Sequence, residues 1–126
     1  MTRKNPRPVD PFDIVRRVGL TFPDVEATTR AGAPVLKMGG CFLAGLATHP
    51  SAEPGTLVVR YGEDEREWLL EDAPETYYLT DFYGKYPLIL ARLSRLGPDA
   101  VRDLLTVSWR LTLDKIKPRA RSRRPS

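Results

Sequence analysis

Two apolar runs, Pro34-Val35-Leu36-Lys37-Met38 and Cys41-Phe42-Leu43-Ala44-Gly45-Leu46, are separated by nothing but Gly39-Gly40. Glycine reaches positive φ without a Cβ clash, and a Gly-Gly pair between two strand-length apolar runs specifies a tight β-hairpin. Thr28-Thr29-Arg30 lies just upstream and extends the hairpin into a short antiparallel meander. The rest of the fold has to accommodate that sheet.

The flanking segments supply helices and further strands. Asp10-Pro11 opens a first helix: Asp10 suits the cap, Pro11 the first helical position and Asp13 the first turn, where the helix dipole favours an acid. Val9 and Ile14 stand at the spacing of a hydrophobic staple. Phe12, Val15 and Val18 form one apolar face, and Gly19 offers a stop. The loop chemistry of residues 48–55 leads into a strand, Thr56 to Tyr61. Residues 62–72 predict a short helix with acids at its start and Trp68, Leu69 and Leu70 on its buried side. Thr76–Thr80 and Tyr86–Leu93 predict a second hairpin around Asp81-Phe82-Tyr83-Gly84-Lys85. The last helix opens at Gly97-Pro98-Asp99 and runs to about Asp114; Val101, Leu104, Leu105, Ser108 and Leu111 recur at helical spacing, with Trp109 at the edge of the stripe. Helices and strands without strict βαβ alternation predict an α+β fold, an antiparallel sheet with projecting hairpins packed against about three helices.

At 126 residues the chain has room for one domain, expected over residues 10–114. The single cysteine, Cys41, excludes an internal disulfide and a multi-cysteine metal site. No apolar run approaches the ~20 residues that cross a bilayer, so no membrane partner is expected. The charged N-terminus has no apolar stretch behind it and does not read as a signal peptide, which makes the cytoplasm the expected location. Charge is segregated. Residues 1–9 and 115–126 hold nine cations and no acid, which within a net +4 leaves the body at −5. Both ends read as flexible basic segments, and a body of that sign repels a polyanion.

Several segments, taken in order, resemble the MmcQ/YjbR-like family. They are Leu20-Thr21-Phe22-Pro23-Asp24-Val25-Glu26, Gly32-Ala33-Pro34 leading into Gly39-Gly40-Cys41-Phe42-Leu43-Ala44, Tyr77-Tyr78-Leu79-Thr80-Asp81-Phe82-Tyr83, Tyr86-Pro87 with Leu90-Ala91-Arg92-Leu93, and Ser108-Trp109-Arg110-Leu111. The resemblance spans roughly residues 10–114. It implies a compact α+β "double-wing" fold with projecting hairpins and a DNA-binding role of the kind proposed for the family from its shape. Cys41 stands where relatives more often have lysine, and Asp81 at a position often polar or histidine, so both hairpins have less positive charge than the family pattern.

Two functions lead, neither enzymatic, and an enzyme ranks third. The first is sequence-independent DNA binding, weak and salt-sensitive. Its phosphate contacts would come from Arg30, Lys37, Arg60, Lys85 and Arg92 on the body and from Lys115, Lys117, Arg119, Arg121, Arg123 and Arg124 in the tail. Against it, the body cations have a surplus of acids with which to pair, and the tail alone would serve as a solvating extension. The second is a protein-interaction or small-ligand module built on the tyrosine-rich hairpin, with Tyr78, Tyr83, Tyr86 and Trp109 as the pocket. Tyr77 and Tyr78 must face opposite sides of a strand, so only one can join any one surface. Core packing is the plainer reading of these aromatics. His49, the single histidine, lies in a loop with no adjacent carboxylate or nucleophile. Cys41 reads as a small buried hydrophobe. No phosphate-binding glycine loop, dinucleotide fingerprint or nucleophile elbow is present, and no cofactor, metal or catalytic residue is expected.

Overall fold

The computed structural model describes residues 11–116. Chain order is α1 (Asp13–Gly19), β1 (Val25–Arg30), β2 (Ala33–Met38), β3 (Cys41–Leu46), β4 (Thr56–Arg60), α2 (Glu63–Asp72), β5 (Tyr77–Tyr78), β6 (Leu88–Arg92) and α3 (Pro98–Ile116), with 3-10 turns at Tyr83–Lys85 and Leu93–Arg95. The strands form one antiparallel sheet in the order β1-β2-β3-β4-β6-β5. This is the α+β class the sequence predicts.

The meander forms as its turn chemistry dictates. Gly39 and Gly40 both take positive φ, 59° and 81°, between the paired residues Met38 and Cys41. Ala31 (φ 54°) and Gly32 (φ 79°) make the same kind of two-residue turn between Arg30 and Ala33. The β2–β3 register then slips: Lys37 pairs with Phe42 but Leu36 with Ala44, leaving Leu43 as a bulge. The extra residue lets Leu43 and Ala44 both turn into the core while Phe42 points the other way.

Strand alternation divides the buried side chains between two faces. Leu57, Val59 and Tyr61 point to one face with Leu36, Ile89 and Ala91, and there meet Phe12, Val15 and Val18 of α1 and Val101, Leu104 and Leu105 of α3. Val58 and Leu90 point to the second face, under Tyr83 and beside Phe42, Tyr78 and Leu88. The described helices all pack on the first face; the second is covered only in part, by the loop before β4 and the turn before β6. Ser108 interrupts the apolar stripe of α3 because its hydroxyl, fully buried, donates to the Leu43 carbonyl at the bulge (3.0 Å).

Several details depart from the sequence reading. Cys41 is half-buried rather than buried, and the last strand spans Leu88–Arg92 rather than Tyr86–Leu93. Helix α1 begins at Asp13, with Phe12 rather than Asp10 at its N-cap; Asp10 and Val9 lie outside the described residues. Gly19 is not a left-handed stop but a close-packing residue inside α1, where an added Cβ would collide with Leu36. Trp68 is 74% exposed. Side chains turn about 100° per helical residue, so aiming Leu69 and Leu70 at the core swings Trp68 away. The strand expected over Thr76–Thr80 contracts to Tyr77–Tyr78, because the chain then turns toward the 3-10 segment. In α3 the buried position is Thr112 rather than Leu111; the Thr112 hydroxyl donates to the Ser108 carbonyl (2.8 Å) and so can be buried.

Candidate ligand-binding cleft

The second sheet face is hollowed by a cleft of about 500 Å³. Its floor is strand side chains that alternation directs away from the helices: Val35 of β2, Phe42 of β3, Val58 of β4 and Leu88 of β6. Phe82, Tyr83 and Tyr86, from the turn before β6, form one wall. Arg60, the last residue of β4, and Arg30, at the tip of the β1–β2 hairpin, reach it from the other side.

The aromatic wall is held from several directions. The His49 ring stacks parallel on Phe82, centroids 3.7 Å apart at 8°, and Tyr83 and Tyr86 meet Phe82 edge-on at 5.0 and 6.0 Å. The Tyr83 hydroxyl accepts the His49 amide N–H (3.1 Å), while the Ser51 hydroxyl bridges His49 Nδ1 (2.9 Å) and the Thr80 hydroxyl (3.0 Å). From α2, Arg66 donates to the carbonyls of Tyr86 (2.7 Å), Leu88 (3.0 Å) and Gly84 (3.1 Å), pinning the turn against β6. Its Nε is buried without a partner among the described residues.

Arg60 Nε donates to the Phe42 carbonyl (2.9 Å), which fixes the plane of its guanidinium. No other side-chain hydrogen bond or ion pair engages Arg60 or Arg30 among the described residues. Lys85 places its ammonium 5.7 Å from the Phe82 centroid. None of the thirteen residues lining the cleft is acidic. Residues 10–114 carry sixteen acids, and an even spread would place about two of them among thirteen residues. The acids gather elsewhere: six lie in α2, whose Leu69 and Leu70 pack on the helix side. The cleft is therefore locally cationic on an anionic body.

The residues singled out in the sequence fall in different places. Tyr83 and Tyr86 line the cleft. Tyr78 faces the same side, opposite to Tyr77, but does not line it; its hydroxyl is engaged by Thr56 (2.6 Å) and the Glu53 amide N–H (2.8 Å). Trp109 belongs to the other layer, where its indole N–H donates to the Pro23 carbonyl (3.0 Å) and its ring meets Phe22. The four aromatics thus do not form one pocket. Among the cations, Lys37 stands across from Glu26 in the β1–β2 register. Arg92 forms a two-point ion pair with Glu53 (2.9 and 2.8 Å), stacks over Tyr78 at 4.4 Å and reaches the Pro74 and Glu75 carbonyls. That hydrogen bond with Arg92 holds the Glu53 carboxyl below its ordinary pKa. Burial, with Glu65 and Asp103 nearby, pushes the Tyr61 hydroxyl upward, and burial does the same to Tyr77. Lys115 sits in the last turn of α3, whereas Lys117, Arg119, Arg121, Arg123 and Arg124 lie outside the described residues.

Sequence reasoning singled out Arg60 as a phosphate contact but not as a neighbour of the aromatic turn, and it missed Phe42 as a cleft residue and Arg66 as the clamp. Phe42 and Arg60 carry a signal in strand parity, but only once the register is known. Arg66 carries none beyond being the one cation in an acidic helix. Among the described residues no cluster of three or more histidine, cysteine or carboxylate groups could hold a metal, and no helix is long and apolar enough to cross a membrane. Comparison with family models, with curated proteins and with solved structures finds no match to this chain.

Proposed function

We propose that the protein is a non-enzymatic binding module whose ligand occupies the cleft on the sheet face opposite the described α-helices. The observation that carries this reading is a concave site of about 500 Å³ with an apolar floor, an aromatic wall and two arginines. Small-molecule sites span about 300–1,000 Å³ and combine apolar lining with a few placed polar groups. The lining offers hydroxyls and guanidinium groups but no carboxylate, histidine or cysteine, so it is equipped to hold a molecule rather than to move protons at neutral pH. A ligand that binds the native state raises the melting temperature by mass action. The test is a thermal-shift screen of small metabolites on the native chain and on Thr48→Trp, which puts an indole at the exposed rim. Stabilisation by a metabolite that vanishes in Thr48→Trp is expected; stabilisation that survives the substitution refutes the cleft.

A second reading, weak DNA binding, draws support from Arg30 and Lys37, which share one face of the β1–β2 hairpin, and from the basic residues after Asp114. Kinship with the MmcQ/YjbR-like family, proposed here on the order of the resembling segments, would go with it. Its mark is a steep salt dependence, a log–log slope of about −0.9 per phosphate neutralised. Undetectable duplex binding at low salt removes it.

A further inference from the structure

We infer that the cleft selects a small planar ring bearing an anionic group, of which an aromatic carboxylate is the simplest member; this deepens the proposed function and rests on it. The ring preference comes from the wall. Phe82 is fixed by the parallel His49 ring at 3.7 Å and by two tyrosine edges, so a ligand ring stacks on or against an already ordered surface. Pre-organised aromatic surface binds without the ordering cost of a mobile side chain.

The anion preference comes from the arginines. Arg60 lines the cleft and is anchored through Nε, which leaves its terminal nitrogens with no partner among the described residues. A guanidinium fork matches a carboxylate or phosphate through two parallel N–H···O bonds. Arg30 adds a second cation from the β1–β2 hairpin, and Lys85, outside the lining, sets its ammonium over the Phe82 ring. With no acid in the lining, nothing inside the cleft neutralises these charges. A bound anion does so, whereas a bound cation has only the aromatic faces to set against the two guanidinium charges. The size agrees: water occupies about 30 Å³ per molecule, so the cleft holds roughly seventeen waters' worth of ligand, enough for a fused bicyclic ring with a short side chain.

Calorimetric titration of the full chain with three probes that share one ring tests this: indole-3-acetate, indole and tryptamine, which are anionic, neutral and cationic. The acetate is expected to bind at least tenfold tighter than indole, and tryptamine weaker than either, because hydrogen bonds to charged groups are worth about a factor of ten or more. Arg60→Gln and Arg30→Gln are each expected to weaken the acetate and leave indole unchanged. The Arg30 side chain has no hydrogen bond or ion pair among the described residues, so its variant tests the charge with the β1–β2 pairing of its backbone left in place. Indole matching the acetate, or tryptamine exceeding it, overturns the anion preference while the cleft stands. Acetate binding that survives Thr48→Trp overturns the cleft itself, and no binding by any of the three probes at millimolar concentration overturns the ligand class. A thymidine oligonucleotide that displaces the acetate and binds more tightly assigns the cleft to single-stranded nucleic acid instead, and overturns the small-ligand proposal.

Discussion

At position 66 a single guanidinium reaches three main-chain carbonyls of the segment that forms the cleft wall. Removing it leaves those acceptors without their charged donor. Arg66→Met is therefore expected to lower stability by about 2 kcal/mol, the scale of hydrogen bonds to a charged group, read from urea unfolding, and to weaken ligand binding through loss of wall order. Arg92 has a similar structural commitment. Its carboxylate partner Glu53 has a folded pKa below the ordinary 4.5, chiefly through that hydrogen bond. Near and below pH 4.5 the unfolded chain then binds more protons than the native one, so the pair's contribution is full above that pH and is lost as pH falls through the lower folded value. Glu53→Gln is expected to flatten that part of the acid limb in a stability-versus-pH series. Neither Arg66 nor Arg92 could be placed from the sequence. A cation in an acid-rich chain has many formal partners, and only the packed structure chooses between a carbonyl, a carboxylate and a ring face.

Secondary structure was legible where local chemistry decides it. Gly39-Gly40 fixed a turn, and the apolar spacing of Val101, Leu104, Leu105 and Ser108 fixed the buried stripe of α3. It failed where a tertiary choice overrides local pattern. Three adjacent apolar residues in α2 cannot all face the core, and Trp68 is the one left in solvent. The bulge at Leu43 has no local signature, yet it sets which residues of β3 face the cleft and gives Ser108 its acceptor. Ser108→Ala removes a buried bond and exposes the Leu43 carbonyl to an apolar surround. The expected cost is about 1–2 kcal/mol, seen as a lower urea midpoint at unchanged slope. No loss would mean that the bulge carbonyl finds another donor.

Over the whole molecule, the net charge was readable from composition but its placement was not. Ten of the sixteen acids of residues 10–114 lie on the described α-helices, six of them in α2, and the opposite sheet face holds a hollow lined by aromatic rings and two arginines with no acid. Tyr83 and Tyr86 could be singled out because the turn between the last two strands is rich in rings; Trp109 misled because helical spacing says nothing about which layer a helix joins. Two-face coverage explains why the hollow exists at all. Three helices are enough to cover one side of a six-stranded sheet, and a loop and a turn cover only part of the other. The most direct measurement is an amide-resolved NMR titration of the full chain with indole-3-acetate. Saturable shifts centred on Phe42, Arg60, Phe82 and Tyr86 are expected, with α3 and the Trp109 indole undisturbed. Shifts centred on Trp109 and Phe22, with the cleft silent, would contradict it.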